Sequence, residues 1–156
     1  MRKIKKLLVF GLLFFIAIQA TLYIIRESAY DIKTNGKLYI VNKLSSNIMV
    51  FDLYKGKVIT EVPIEIEPHE PISLTNKNRL VVTNYGTPDK IGNTLTVINT
   101  KTNTIEKTIH LKESKAPHGI VAFPSSNKVG VVSDLGNDLL VVNVETGIIE
   151  KRIKTQ

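Results

Sequence analysis

Two apolar patterns divide the chain. Residues 7–25 form a continuous apolar run interrupted only by Gly11, Gln19 and Thr21, whereas from residue 29 onward short β-branched runs alternate with Asn, Gly, Asp, Ser and Pro. The first run has no polar face, so it does not read as an amphipathic core helix. At about 1.5 Å per residue a helix of this length reaches close to 30 Å, the hydrocarbon thickness of a bilayer. The second pattern is that of strands and turns.

The strands recur in a fixed order. Arg79-Leu80-Val81-Val82-Thr83-Asn84, a loop, and then Thr94-Leu95-Thr96-Val97-Ile98-Asn99-Thr100 have counterparts before and after them. Residues 38–42 and 129–134 match the first half, and 48–52 and 139–143 the second. A period of roughly 40 to 50 residues marks stacked supersecondary units. The middle unit is predicted to hold strands over 71–75, 79–84, 94–99 and 104–111. The third repeats them over 119–123, 128–133, 139–143 and 148–153. The first shows 37–41, 48–52 and 57–64, with 29–33 as a poor copy of an opening strand. Leu-Tyr-Ile-Val, Leu-Val-Val and Leu-Leu-Val-Val are apolar at successive positions, so both faces of the inner strands are buried. Antiparallel four-stranded units with a sheet against each face are propeller blades. The expected fold is therefore all-β, a partial propeller of about three blades (29–70, 71–118 and 119–156) preceded by an N-terminal helix within residues 1–26. Fourth strands such as Thr104-Ile105-Glu106-Lys107-Thr108-Ile109 carry charges where a rim meets water and protect the edge.

Charge sharpens the view of the N-terminus. The formal net charge is +7, but Arg2, Lys3, Lys5, Lys6 and Arg26 lie in the first 26 residues with no acid. That leaves 16 of the 21 basic residues against all 14 acidic ones, a balance of +2 for the remainder, so no nucleic-acid partner is expected. Positive charge ahead of the apolar run places the N-terminus in the cytoplasm and the rest outside. The run reads as an uncleaved anchor in the membrane; removal as a signal peptide after Ala20, giving a secreted domain, is the alternative. The absence of Cys excludes disulfides, thiolate metal sites, a Cys nucleophile and a lipid-bearing Cys. With no Trp and 6% aromatic residues, the core must be aliphatic.

These residues resemble the YVTN-type β-propeller repeats of exported bacterial and archaeal proteins. Leu80-Val81-Val82-Thr83-Asn84 stands at the motif that names the family. Residues 93–105 look like the hairpin that follows it, and Ala116-Pro117-His118-Gly119 like the link into the next blade. The similarity covers roughly residues 37–156. Departures are Pro68-His69-Glu70-Pro71 in the first link, an enlarged loop over 85–92, and Ser133-Asp134 for the Thr-Asn pair. The resemblance implies a ring of typically four to eight blades. Three cannot close alone, so either further blades complete the ring or arcs associate, and an end just after the third unit is compatible with both.

Candidate chemistry is sparse. By the resemblance, His69 and His118 occupy equivalent links near a channel mouth, while His110 falls in an outer strand. With two imidazoles and no accompanying carboxylate cluster, no metal site is expected. Each His reads as fixing its link, with ligand binding as the alternative. Asn42, Asn84 and Asp134 end equivalent strands and are expected to hydrogen-bond the backbone that follows. Glu65 and Glu67 read as a solvated rim. There is no nucleophile elbow or phosphate loop, so no catalytic residue and no cofactor is expected. The loop over 85–92 is the best contact surface, which makes His69, His118, Tyr85 and Asp89 the ligand-binding candidates. The resulting expectation is an exported, membrane-tethered, non-enzymatic binding module for an unidentified protein or small molecule. The rivals are a piece of a propeller enzyme of the lactonase kind and a non-functional truncated propeller.

Overall fold

The computed structural model describes residues 11–19, 34–74 and 77–155. They divide into two units, one of residues 1–36 with 53–56 and one of residues 37–52 with 57–156. In the first, residues 11–19 form a helix about 14 Å long with exposed side chains, among them Leu12, Phe14 and Phe15. No helix among the described residues is long and apolar enough to cross a membrane. The rest of the apolar run, and the opening strand expected over 29–33, lie outside the described residues.

The second unit is a succession of antiparallel meanders. β1 (Lys37–Asn42), β2 (Asn47–Asp52) and β3 (Lys57–Pro63) form the first sheet. β4 (Pro68–Leu74), β5 (Arg79–Gly86), β6 (Ile91–Asn99) and β7 (Thr104–His110) form the second. β8 (Pro117–Ala122), β9 (Lys128–Ser133), β10 (Asp138–Asn143) and β11 (Ile148–Lys154) form the third. β4 and β8 begin at Pro68 and Pro117, ahead of the expected 71 and 119, because a bulge lets pairing continue past His69 and His118. A register shift recurs at matching positions of β2, β6 and β10, at Val50/Phe51, Val97/Ile98 and Val141/Val142.

Alternation along β5 organises the core. Leu80 and Val82 point to the first sheet and pack with Ile48, Val50, Val62 and Ile98. Val81, between them, points to the third sheet and packs with Leu95, Val97, Val129, Val131, Leu140 and Val142. The middle sheet is thus covered on both faces, as its continuous apolar runs require. Each junction is also latched at its rim. Lys37 and Tyr39 donate to the Thr100 carbonyl (2.9 and 3.1 Å) and to Asn103 Oδ1 (3.0 and 2.9 Å) in the β6–β7 turn. Arg79, the matching residue of β5, grips Glu106 with two hydrogen bonds of 2.7 and 2.6 Å and reaches Glu145 in the β10–β11 turn. The outer face of the third sheet carries Val121, Val132 and Ile148 at 60%, 42% and 59% exposure.

The Asx residues act differently from expectation. Asn42 donates to the Asn47 side chain at 2.8 Å, and buried Asn84 donates to Thr94 and Thr96 at 2.9 Å each, so both bridge strands. The backbone-capping role falls to Asn99 and Asn143. Their Oδ1 atoms accept from the amides two and three residues on.

In the third sheet, buried Asp138 accepts hydrogen bonds from Arg152 at 2.6 Å and Ser114 at 2.9 Å. Burial pushes the Asp138 carboxyl up, but those hydrogen bonds and the charges of Arg152 and Lys154 outweigh it and hold the pKa below its ordinary value. The unfolded chain therefore binds a proton first as pH falls. Stability from Asp138 is complete above about pH 4 and fades as pH drops through the lower folded value. Acid unfolding followed by circular dichroism is expected to be shallower below about pH 4 in Asp138→Asn, and an unchanged acid limb would assign the effect to other carboxylates. Leu140→Ala, at a fully buried position, is expected to cost about 2–5 kcal/mol. A loss below about 1 kcal/mol in denaturant titrations, the ordinary size for an exposed position, would contradict this orientation.

Candidate functional site

Pairing register fixes which residues correspond between sheets. Asn42 pairs with Asn47, Asn84 with Thr94 and Ser133 with Asp138, while Pro68 opposes Asn84 and Pro117 opposes Ser133. Ser133 therefore matches Asn84, one residue earlier than the expected Asp134. The residue that follows in each sheet is Lys43, Tyr85 or Asp134. The backbone repeats as well, since Tyr85 N donates to the Glu67 carbonyl and Asp134 N to the Ala116 carbonyl, both at 3.1 Å. Glu67 and Ala116, each preceding a proline, have left-handed φ values of 45° and 53°.

These matched positions meet at the start of β4 and β8. The bulge in β4 sets His69 and Glu70 opposite the single residue Thr83, whose hydroxyl accepts from Glu70 N at 2.9 Å. The corresponding bulge in β8 sets His118 and Gly119 opposite Val132. Bulges re-aim side chains, and here both His rings turn toward each other, edge to face, with centroids 4.2 Å apart. Tyr85 lies 5.4 Å from His69 and 5.5 Å from His118, and Lys43 Nζ stands 5.6 Å from the centre of the Tyr85 ring. His118 Nδ1 is 3.0 Å from Asp134 Oδ2, and its Nε2 is 3.9 Å from Glu70 Oε1. Lys43 also pairs with Glu67 at 3.5 Å. Burial, together with the charges of His118 and Lys43, holds the His69 pKa below its ordinary value.

The structure brings three of the four candidates together. His69, His118 and Tyr85 share one cluster, while Asp89 is exposed in the turn of the β5–β6 hairpin, apart from it. Two carboxylates, Glu70 and Asp134, stand beside the His pair. Glu70 is delivered by the bulge and Asp134 by the matched strand end, neither of which a spacing rule for metal motifs detects. Lys43 escapes it for the same reason; counting one residue beyond Asn42, Asn84 and Ser133 finds Lys43 and Asp134 beside Tyr85, but not Glu70. Glu67 faces Lys43 and is not a free rim acid.

The expected loop over 85–92 is instead a ladder extension. β5 and β6 remain paired to Gly86 and Ile91, closed by mutual backbone hydrogen bonds of Thr87 and Lys90 at 3.0 and 3.2 Å. Glycine is needed at both feet of this turn. Gly86 has φ +82°, and a Cβ on Gly92 would lie 1.9 Å from the Asn84 carbonyl oxygen. A hollow lined by Ser73, Lys77, Phe123 and Pro124 lies at the opposite ends of β4 and β8, away from the cluster.

The sequence matches no protein-family model and no curated protein. Among solved structures the chain is similar to Kuenenia stuttgartiensis hydrazine synthase, at 18% identity and TM-score 0.67, over 83% of this chain and 39% of that one. It is also similar to dihydro-haem d1 dehydrogenase NirN in complex with DHE, at 16% identity and TM-score 0.59, over 77% and 26%. At these identities the likeness defines the fold alone, the stacked antiparallel sheets of a β-propeller. The chain spans about two fifths of the first neighbour and about a quarter of the second.

Gly92→Ala is expected to destabilise the fold by more than about 1 kcal/mol in thermal or denaturant melts, since the clash is with backbone and no side chain can yield. A neutral substitution would mean that the hairpin foot is not packed as described.

Proposed function

We propose that this is a YVTN-type propeller protein, tethered outside a bacterial membrane by its N-terminal apolar run, that binds a small polar ligand without turning it over. One observation carries the reading. Lys43 from the first sheet, His69, Glu70 and Tyr85 from the second, and His118 and Asp134 from the third converge at the heads of the inner strands. A mixed set of donors, acceptors and aromatic faces on rigid strands suits recognition. The two arginines of the β region are committed elsewhere, Arg79 to Glu106 and Glu145 and Arg152 to Asp138 and Glu113, which weighs against the lactonase-like alternative. The test is a thermal-shift screen of the full chain in mild detergent against carboxylated and phosphorylated metabolites. A stabilising ligand should act on the wild type and fail on a Lys43→Ala, Tyr85→Ala double variant. Ligands that stabilise both equally would place binding elsewhere.

The exposed outer face of the third sheet supports a second element of the proposal, that a second copy of the chain supplies further blades. Monomers rarely leave such apolar area in water. Light scattering corrected for detergent is expected to report two or more chains per particle, reduced to one by Val132→Asp; a single chain in the wild type would overturn the assembly. Fractionation of cells should find the full-length chain in the membrane and digestible by external protease, and soluble protein beginning at Thr21 would replace the anchor with a cleaved signal.

A further inference from the structure

We propose that His69, Glu70 and His118 form a site for one divalent ion of the zinc class, with three protein ligands and a fourth position open toward Tyr85. This deepens, and rests on, the reading of the same cluster as a binding site. Among the described residues it is the one group of three possible ligands whose donor atoms all lie within 4.8 Å of one another. Tetrahedral zinc with nitrogen and oxygen ligands needs donors roughly 3.4 Å apart. The 3.9 Å between His118 Nε2 and Glu70 Oε1 is about 0.5 Å more than the required spacing, and no pair of the three donors is more than 4.8 Å apart.

The surroundings fit a metal better than a bare aromatic cluster. His118 holds Asp134 with Nδ1 at 3.0 Å. A neutral imidazole that donates from Nδ1 keeps its lone pair on Nε2, and Nε2 is the atom facing Glu70. This is the carboxylate–histidine arrangement that orients metal-ligating rings. Asp134 is accordingly a positioning residue. Two imidazoles and one carboxylate suit zinc, cobalt, nickel or iron and disfavour magnesium and calcium, which take oxygen ligands. Local charge also agrees, since Glu70, Asp134 and Glu67 against Lys43 leave an excess of negative charge beside the two rings. Three ligands and an open position would let a bound ligand complete the coordination sphere.

The experiment uses the untagged full chain in mild detergent, stripped with chelator, then titrated with Co²⁺ as a spectroscopic probe and with Zn²⁺ by calorimetry. One ion per chain is expected, with the intense visible absorption of four- or five-coordinate cobalt, bleached by zinc. His69→Gln and His118→Gln should each weaken binding by about 100-fold or more. Asp134→Asn should weaken it by about 10–100-fold. Should a His variant fail to fold, the isosteric and half-exposed Glu70→Gln still decides, by loss of the cobalt spectrum with an unchanged circular dichroism melt. No stoichiometric uptake by the wild type, or uptake that survives Glu70→Gln and both His variants, overturns the metal site. Metabolite stabilisation that depends on Lys43 and Tyr85 in the chelated protein, with no ion uptake, would retain the binding reading and remove this one.

Discussion

The structure depends on the burial of both faces of one sheet. β5 sends Leu80 and Val82 one way and Val81 the other, so the second sheet has no solvent side and cannot exist without neighbours. A free-standing four-stranded sheet would leave one of these rows in water. Stacking removes that cost at each junction and at the same time fixes the angle at which successive inner strands meet. Rim latches from Lys37 and Arg79 join β1 and β5 to the outer turn of the next sheet, so each junction is held by an apolar centre and a polar edge.

The site is a by-product of that stacking combined with two local faults in pairing. Were β4 and β8 regular, His69 and Glu70 would point to opposite faces, as successive strand residues do. The bulges break that alternation just after Pro68 and Pro117, where left-handed Glu67 and Ala116 bring the chain in. Strained backbone concentrated at one end of two strands is where functional side chains are commonly found, and the irregularity occurs in the same place in both sheets.

Much of the fold was legible in the sequence because the inner strands are uninterrupted β-branched runs with turn residues at both ends. Ile48, Val50, Val81, Val97, Val131 and Leu140 are core residues that any pattern reading would choose. The site was only partly legible. His69 and His118 could be matched from their shared Pro-His link, but pairing Asp134 with Asn84 was off by one residue, and that slip hid the correspondence of Lys43, Tyr85 and Asp134. Register is set by backbone pairing over a whole sheet, so a motif of five residues does not determine it. The segment 85–92 reads as a loop for a related reason. Tyr-Gly and Ile-Gly look like turn punctuation, yet both glycines serve a ladder in which Asn84 and Gly92 approach too closely for any side chain.

The matched positions that follow Asn42, Asn84 and Ser133 show how such a site can change. Lys43, Tyr85 and Asp134 occupy one structural slot in three sheets, yet are a cation, a phenol and an anion. Glu70 and Gly119 likewise share a slot within the two bulges. None of the five contributes to the buried apolar layers. Repetition of the sheet therefore delivers pre-aimed slots to one cluster, and substitution at a handful of codons can rewrite that surface while every core residue stays as it was.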